Sequence, residues 1–102
     1  MIYSKLVRDK IPEIIKQKGK SFMIHTTNEN EYWNKLLEKL KEETEEFIES
    51  NNEEELIDIL EVIDTICSFK NINKKELEIQ KKVKSLKRGS FKDRIILEKV
   101  ED

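Results

Sequence analysis

The sequence is poor in several residue types on which whole classes of protein depend. It has one cysteine, one histidine, one proline and two glycines among 102 residues. The single cysteine, Cys67, excludes an internal disulfide framework. No apolar run approaches the roughly 20 residues that span a bilayer, and no signal-peptide pattern is present. We therefore expect a soluble, cytoplasmic protein with no membrane partner.

The sequence also lacks a large excess of either charge. Its 22 acidic and 20 basic residues give a net charge of −2, although 41% of the residues are charged. Such a balance provides no electrostatic field for nonspecific nucleic-acid binding, so we expect no nucleic-acid partner. The length suits a single domain, residues 1–102, with one modest core.

Hydrophobic residues are scarce, at 36% of the chain, and the rest of the chain is organised around one stretch, Leu36–Phe69. This stretch has helical periodicity on both sides of a short turn at Asn51-Asn52. The predicted apolar stripe of its second half is Leu56, Ile59, Leu60, Ile63, Ile66 and Cys67. Two helices joined by so short a turn must pack antiparallel. Their apolar surface exceeds what a few short helices can cover, so we predict a homodimer or a larger symmetric oligomer.

Acidic residues occupy unusual positions in this predicted hairpin. Glu43 interrupts an apolar stripe of the first helix, and Glu46 lies about one turn further along. Glu55 and Asp58 have the same spacing in the second helix. Folding the hairpin about Asn51 brings the two pairs to similar heights. Four converging carboxylates repel one another unless a cation lies among them, so the pattern indicates a metal site.

The ordinary interpretation of these acids remains open at this point. Acidic runs such as Glu53–Glu55 are common on solvated helix faces and in first turns, where the helix dipole favours them. The spacing is loose for a sequence with so many acids.

The segment before the hairpin predicts a short first helix. Arg8–Lys18 predicts a first helix capped by Asp9, with Pro12 in its first turn and Gly19 at its end. Three bases lie just before this helix, namely Lys5, Arg8 and Lys10. They are either ordinary surface charges or an anion-binding edge.

Two Asn–Glu pairs, three residues apart, mark helix starts. Asn28 with Glu31 begins the long helix, and Asn73 with Glu76 begins a last helix that ends near Arg88. Lys20–Thr26 and Ile95–Val100 have the alternation of short strands. We therefore predict an all-α fold, an antiparallel helical hairpin core, with these two segments paired as a short β ribbon.

Four blocks of the sequence occur in an order that resembles a known family. They are YSKLVRDKIPEIIKQKG, KLKEETEEF, EELIDILEVID and KRGSFKDRIILEKV. Together they resemble the small MazG-like proteins of the all-alpha nucleoside triphosphate pyrophosphohydrolase superfamily, and more narrowly the short phosphoribosyl-ATP pyrophosphohydrolase-like members. The resemblance implies a helical core that dimerises into a bundle. It also implies Mg²⁺-dependent cleavage of a nucleoside triphosphate to the monophosphate and pyrophosphate.

The resemblance assigns roles to individual residues. The EExxE motif of the family matches Glu42, Glu43 and Glu46, and its ExxD motif matches Glu55 and Asp58. The spacer of eight residues, Phe47–Glu54, is shorter than in most relatives. A second ExxD, formed by Glu61 and Asp64, gives a more usual spacer. The symmetry of the hairpin favours the first ExxD, with Asp64 as a candidate extra ligand, and the choice between the two motifs stays open.

The implied chemistry needs a cation, a water-orienting group and bases. Mg²⁺, or Mn²⁺ in its place, takes carboxylate oxygens and bridges phosphates. Glu42 is the candidate to orient or deprotonate the attacking water. The departing pyrophosphate needs basic partners. The candidates are Lys5, Arg8, Lys10, Arg88 and Arg94.

Three functions remain possible from the sequence. The first is a pyrophosphohydrolase that removes noncanonical nucleoside triphosphates. The second is phosphoribosyl-ATP hydrolysis in histidine biosynthesis. The third is a non-enzymatic helical dimerisation or regulatory module. No motif identifies the pocket that would select a base, because such specificity depends on pocket shape.

Overall fold

The computed structural model describes residues 4–102, and within this range the secondary structure is entirely helical. The helices are α1 (Ile11–Gln17), α2 (Glu29–Ser50), α3 (Glu53–Phe69) and α4 (Lys74–Arg88). The predicted all-α class is confirmed. Between residues 4 and 102, no helix is long and apolar enough to cross a membrane.

The internal contacts group the chain into two compact units. The first ends at Ile66, and the second is Cys67–Asp102. The first unit contains α1, α2 and most of α3, and the second contains the last residues of α3, then α4 and the C-terminal segment. The prediction of a single domain remains a prediction.

Helix α1 is shorter than the predicted Arg8–Lys18, and Asp9 does not cap it. Lys10 takes the N-cap position without a side-chain hydrogen bond. The reason is a tight turn, in which Ile11 N donates to Arg8 O at 3.0 Å. Asp9 lies inside this turn instead of at the helix start. Gly19, with φ of +75°, follows the helix end as expected, because only glycine adopts this region without strain.

The α2–α3 hairpin agrees closely with the sequence. Asn28 begins α2, and its side chain accepts a hydrogen bond from Glu31 N at 2.8 Å. Asn51 ends the helix in the left-handed conformation, with φ of 55° and ψ of 24°. Asn52 then accepts from Glu54 N at 3.0 Å and so satisfies a donor at the start of α3. The predicted two-asparagine turn is confirmed.

The packing of the first unit centres on α2 and α3. Leu36 is the most deeply buried side chain, and Val62 of α3 is also buried. Val62 is absent from the predicted apolar stripe of α3, whereas Leu60, which that stripe includes, is 60% exposed. The buried face of α3 is therefore rotated about the helix axis relative to the predicted apolar stripe. Cys67, at the start of the second unit, is buried, as expected of a small core residue.

Helix α4 of the second unit is also bounded as predicted. The side chain of Asn73 accepts from Glu76 N at 3.1 Å, and Gly89 N donates to Ser85 O at 2.8 Å at the other end. None of the residues of α4 is buried.

The predicted β ribbon is wrong. Neither Lys20–Thr26 nor Ile95–Val100 forms a strand. A two-stranded ribbon is marginal by itself and needs a buried face. These segments provide none, because Ile24 is 65% exposed and Ile95 is 80% exposed.

Candidate functional site: an acidic cluster on the α2–α3 hairpin

The hairpin brings carboxylates from both helices together in two overlapping groups. Glu42, Glu43 and Glu46 form one group, and Glu43, Glu55 and Asp58 form the other. Within each group, one oxygen from every residue lies within 4.8 Å of the others. Glu43 belongs to both groups and so joins α2 to α3. We call these five residues the acidic cluster.

The local fold explains this placement. Residues three or four apart share one face of a helix, so Glu46 follows Glu43 and Asp58 follows Glu55 on their helices. The turn contains only Asn51 and Asn52, which keeps the end of α2 and the start of α3 at the same level. The carboxylates therefore meet in the turns next to the hairpin turn.

Glu43 is the unusual member of the acidic cluster, because it is a buried carboxylate. The residue is only 5% exposed. Its Oε1 pairs with Lys39 Nζ at 3.1 Å, whereas its Oε2 is buried and has no hydrogen-bond partner among the described residues. An unsatisfied buried acceptor costs about 1–3 kcal/mol, and more when it is charged. Such an atom indicates a missing partner, either a proton or a cation.

The acids in the cluster differ in how readily they hold a proton. Burial raises the pKa of Glu43, and the nearby charges of Glu46 and Asp58 raise it further, against the opposing effect of Lys39. Burial also acts to raise the pKa of Glu42, but hydrogen bonds from Lys5 and Lys39 outweigh it and lower the pKa. Neighbouring residues in α2 therefore have shifts of opposite sign.

Two predicted phosphate-binding residues contact the acidic cluster directly. Lys5 Nζ lies 3.0 Å from Glu42 Oε1. Arg8 Nη2 lies 2.7 Å from Asp58 Oδ1, and its Nη1 lies 3.6 Å from Glu61 Oε1. The hydrogen bond to Asp58 raises the pKa of Arg8, so the guanidinium stays charged. The segment before α1 therefore supplies basic groups to acids on both helices.

Lys39 is the functional candidate that sequence reasoning missed. Its Nζ lies 3.3 Å from Glu42 Oε2 and 3.1 Å from Glu43 Oε1. Desolvation acts to lower the pKa of Lys39, but hydrogen bonds to Glu43 and Glu42 outweigh it and raise the pKa. Its spacing of three and four residues from these acids is a signal that the sequence contains.

The remaining predicted residues are all exposed. Glu61 is exposed and pairs with Arg8, and Asp64 is exposed one turn further along α3. Lys10 is exposed immediately before α1. Arg88 and Arg94 are exposed residues of the second unit. The structure thus groups Glu55 and Asp58 with Glu43, the arrangement that the hairpin symmetry favours.

Part of the chain is similar to a protein of Mycolicibacterium smegmatis whose name is uncharacterized protein. The two are 46% identical over 43 residues, which cover 42% of this chain and 44% of that protein. The match therefore spans less than half of the relative's length, and its name carries no activity. No family model matches the chain. No solved structure matches it.

Proposed function

We propose that the protein is a Mg²⁺-dependent nucleoside triphosphate pyrophosphohydrolase with a MazG-like fold. It would cleave a triphosphate to the monophosphate and pyrophosphate, and its role would be the removal of noncanonical nucleotides in the cytoplasm. The observation that carries the proposal is Glu43, a buried carboxylate between acids of two helices, one oxygen of which has no hydrogen-bond partner in the part of the chain that the structure describes. The resemblance of the four sequence blocks supports the same assignment.

The donor set of the acidic cluster fits a hard divalent cation. All its side chains offer carboxylate oxygens, which are the ligands that Mg²⁺ and Mn²⁺ take. We assign the ligand positions to Glu43, Glu46, Glu55 and Asp58. A cation beside Glu43 Oε2 would supply the partner that this buried atom lacks among residues 4–102. No histidine or cysteine belongs to the cluster, which disfavours zinc.

The bound ion would offset negative charge on the phosphates and lower the pKa of a coordinated water. In the proposed reaction, a water oxygen forms a bond to the α-phosphorus. The bond from this phosphorus to the oxygen bridging the α- and β-phosphates breaks, pyrophosphate leaves, and the proton of the attacking water is released to solvent. We assign to Glu42 the role of accepting a hydrogen bond from the attacking water. Its lowered pKa suits orienting that water better than retaining its proton.

Basic residues would bind the phosphates as negative charge shifts to the leaving pyrophosphate. Lys5 and Arg8 are the best supported, because both already lie against the acidic cluster. Lys10, Arg88 and Arg94 remain predicted members of this group.

The deciding experiment incubates the purified protein and Mg²⁺ with normal and modified nucleoside triphosphates and with phosphoribosyl-ATP. We expect a nucleoside monophosphate and pyrophosphate in equal amounts from at least one triphosphate. Turnover of phosphoribosyl-ATP alone would favour the histidine-biosynthesis function. Release of orthophosphate alone, or no turnover of any compound, would reject the proposal.

We also propose a homodimer or a larger symmetric oligomer through α2 and α3. Several large apolar side chains of these helices are more than half exposed in the single chain, namely Ile48, Ile57 and Leu60. Light scattering should give about twice the chain mass of 12.2 kDa, or a larger whole multiple of it. A monomer at micromolar concentration would contradict this assembly.

A further inference from the structure

The segment before α1 is attached to both helices of the hairpin. We call residues 4–10 the basic strap. Lys35 Nζ of α2 donates to Ser4 O at 2.7 Å. Lys5 pairs with Glu42 of α2, and Arg8 pairs with Asp58 of α3. The basic strap therefore carries its positive charges to acids on both sides of the acidic cluster.

The charges of the basic strap neutralise the edges of the acidic cluster but not its centre. Lys5 binds an oxygen of Glu42, and Arg8 binds an oxygen of Asp58. Glu43 Oε2, which belongs to the residue shared by both carboxylate groups, keeps no hydrogen-bond partner among the described residues. Without a metal ion, Arg8 thus acts as a substitute cation for Asp58 of the ligand set, while Lys5 neutralises the adjacent Glu42.

The exposure of these ion pairs shows which of them can exchange. The side chains of Lys5 and Arg8 are 44% and 52% exposed, whereas that of Lys39 is 18% exposed. Exposed pairs contribute about 0–1 kcal/mol, because water competes for both partners. The pairs of the basic strap are therefore weak enough to open, while Lys39 stays with Glu43.

Once released from the carboxylates, the basic strap can bind phosphate instead. A guanidinium binds phosphate oxygens with the same two-pronged geometry that it uses for carboxylates, and an ammonium binds phosphate as a point charge. A divalent ion that takes Asp58 as a ligand competes with Arg8 for that carboxylate. The freed guanidinium would then be next to the ion, where the phosphate chain of a nucleotide also binds.

We propose that Arg8 is an exchange residue: a divalent ion displaces it from Asp58, and it then binds the phosphates of the substrate. This inference rests on the proposed function, and it adds an order of binding, metal ion before polyphosphate. The basic strap thereby couples the two binding events, since Arg8 can serve the carboxylate or the phosphates but not both.

The exchange predicts effects of opposite sign for one substitution, Arg8→Gln. The variant and the wild type are titrated with Mn²⁺ alone, and free Mn²⁺ is followed by its electron paramagnetic resonance spectrum. The variant should bind Mn²⁺ about 2–5-fold more tightly, because the exposed Arg8–Asp58 pair, worth about 0–1 kcal/mol, no longer competes with the ion. Inorganic pyrophosphate, titrated with Mn²⁺ in excess, should bind about 10-fold more weakly, because a charge-assisted contact is lost. A purely structural role of Arg8 would weaken both.

Matched variants separate the exchange from a loss of charge or of fold. Lys16→Gln removes an exposed base of α1 and should change neither affinity. Arg8→Lys should restore most of the pyrophosphate affinity. If Arg8→Gln fails to fold, Arg8→Met, which also removes the charge and keeps the length of the side chain, takes its place with the same two expected effects.

The outcomes distinguish this inference from the proposed function. If the wild type binds Mn²⁺ but Arg8→Gln binds it equally or less tightly, the exchange is wrong while the metal centre stands. Unchanged pyrophosphate affinity in Arg8→Gln also rejects the exchange. If the wild type binds no Mn²⁺, both the proposed function and the exchange are wrong.

Discussion

Helices α2 and α4 begin with the same local signal but differ in what they bury. An asparagine side chain accepts from a glutamate N–H three residues later at the start of each, Asn28 to Glu31 and Asn73 to Glu76. Yet α2 buries Leu36 and Glu43, whereas every residue from 70 to 102, including those of α4, is exposed. Capping therefore specifies where a helix starts. Only tertiary packing turns one of its acids into a candidate ligand.

The same contrast applies to the charges. The ion pair of Lys81 with Glu78 in α4 joins side chains that are 70% and 53% exposed. The pair of Lys39 with Glu43 in α2 joins side chains that are 18% and 7% exposed. Both pairs have a spacing that stabilises an isolated helix by only about 0.2–0.5 kcal/mol. Burial, not spacing, makes the α2 pair a candidate for chemistry.

The largest expected effect is on the free energy of unfolding, and it tests the difference in burial between α2 and α4. Leu36→Ala should lower the free energy of unfolding by about 2–5 kcal/mol, because it leaves a cavity in the packed region. Leu86→Ala in α4, where the side chain is 87% exposed, should cost about 0.5 kcal/mol or less. Urea denaturation measures both. Comparable losses would show that the assembled protein buries Leu86 and would remove the contrast between the helices.

The next effect concerns activity. Glu46→Gln keeps the size and helix propensity of the side chain but removes the charge that would hold the ion, so turnover should fall about 100-fold. The fold should persist, because the substitution relieves repulsion with neighbouring acids. Glu49→Gln, one turn further along α2, is the matched control. Equal turnover of the two variants would remove Glu46 from the site.

A smaller effect concerns the response of stability to metal. At an ion concentration 100 times the Kd, binding should stabilise the native state by about 2.7 kcal/mol. For a chain of this size, Tm should rise by roughly 10–20 °C. Glu43→Gln should lose most of this rise, whereas Glu78→Gln in α4 should retain it. Melting curves with and without Mg²⁺ or Mn²⁺ provide the measurement, and a rise that survives Glu43→Gln would exclude Glu43 as a ligand.

The smallest effect is a dependence of stability on pH without metal. The raised pKa of Glu43 means that the folded state keeps a proton that the unfolded chain releases. Stability should therefore fall as pH rises from the ordinary glutamate value through the raised one. The lowered pKa of Glu42 acts in a lower window, where stability is lost as pH falls through it.

Comparison with Glu43→Gln isolates the first of these two contributions. The variant should lack the loss of stability on the high-pH side and keep the loss on the low-pH side. Denaturation midpoints measured across this range, with chelator present, make the comparison. Parallel curves for the variant and the wild type would show that Glu43 does not titrate as described.

The sequence predicted those features that depend on neighbouring residues along the chain. Asn28, Asn51 and Asn73 indicated the helix bounds because their side chains or backbone conformations act locally. Glu43 was recognisable because it interrupts an apolar stripe. The short turn fixes the position of α3 along α2. The proximity of Glu43 to Glu55 and Asp58 could therefore be predicted.

The features that the sequence did not predict depend on packing. The apolar residues of α3 permit several stripes, and the choice of Val62 over Leu60 as a buried position depends on how α3 rotates against its neighbours. The role of Lys39 depends on burial that spacing alone does not reveal. The alternation in Lys20–Thr26 resembled a strand, but no partner or buried face stabilises one there.

The two-residue turn at Asn51 and Asn52 also sets a rule for insertions. Each residue added to a helix turns the following side chains by about 100° and moves them by about 1.5 Å. One extra residue between Glu46 and Glu55 would therefore point Glu55 and Asp58 away from Glu43. An insertion of about seven residues, one turn on each helix, would restore the facing arrangement. The permitted lengths of this spacer are thus discrete, and helical geometry sets the interval between them.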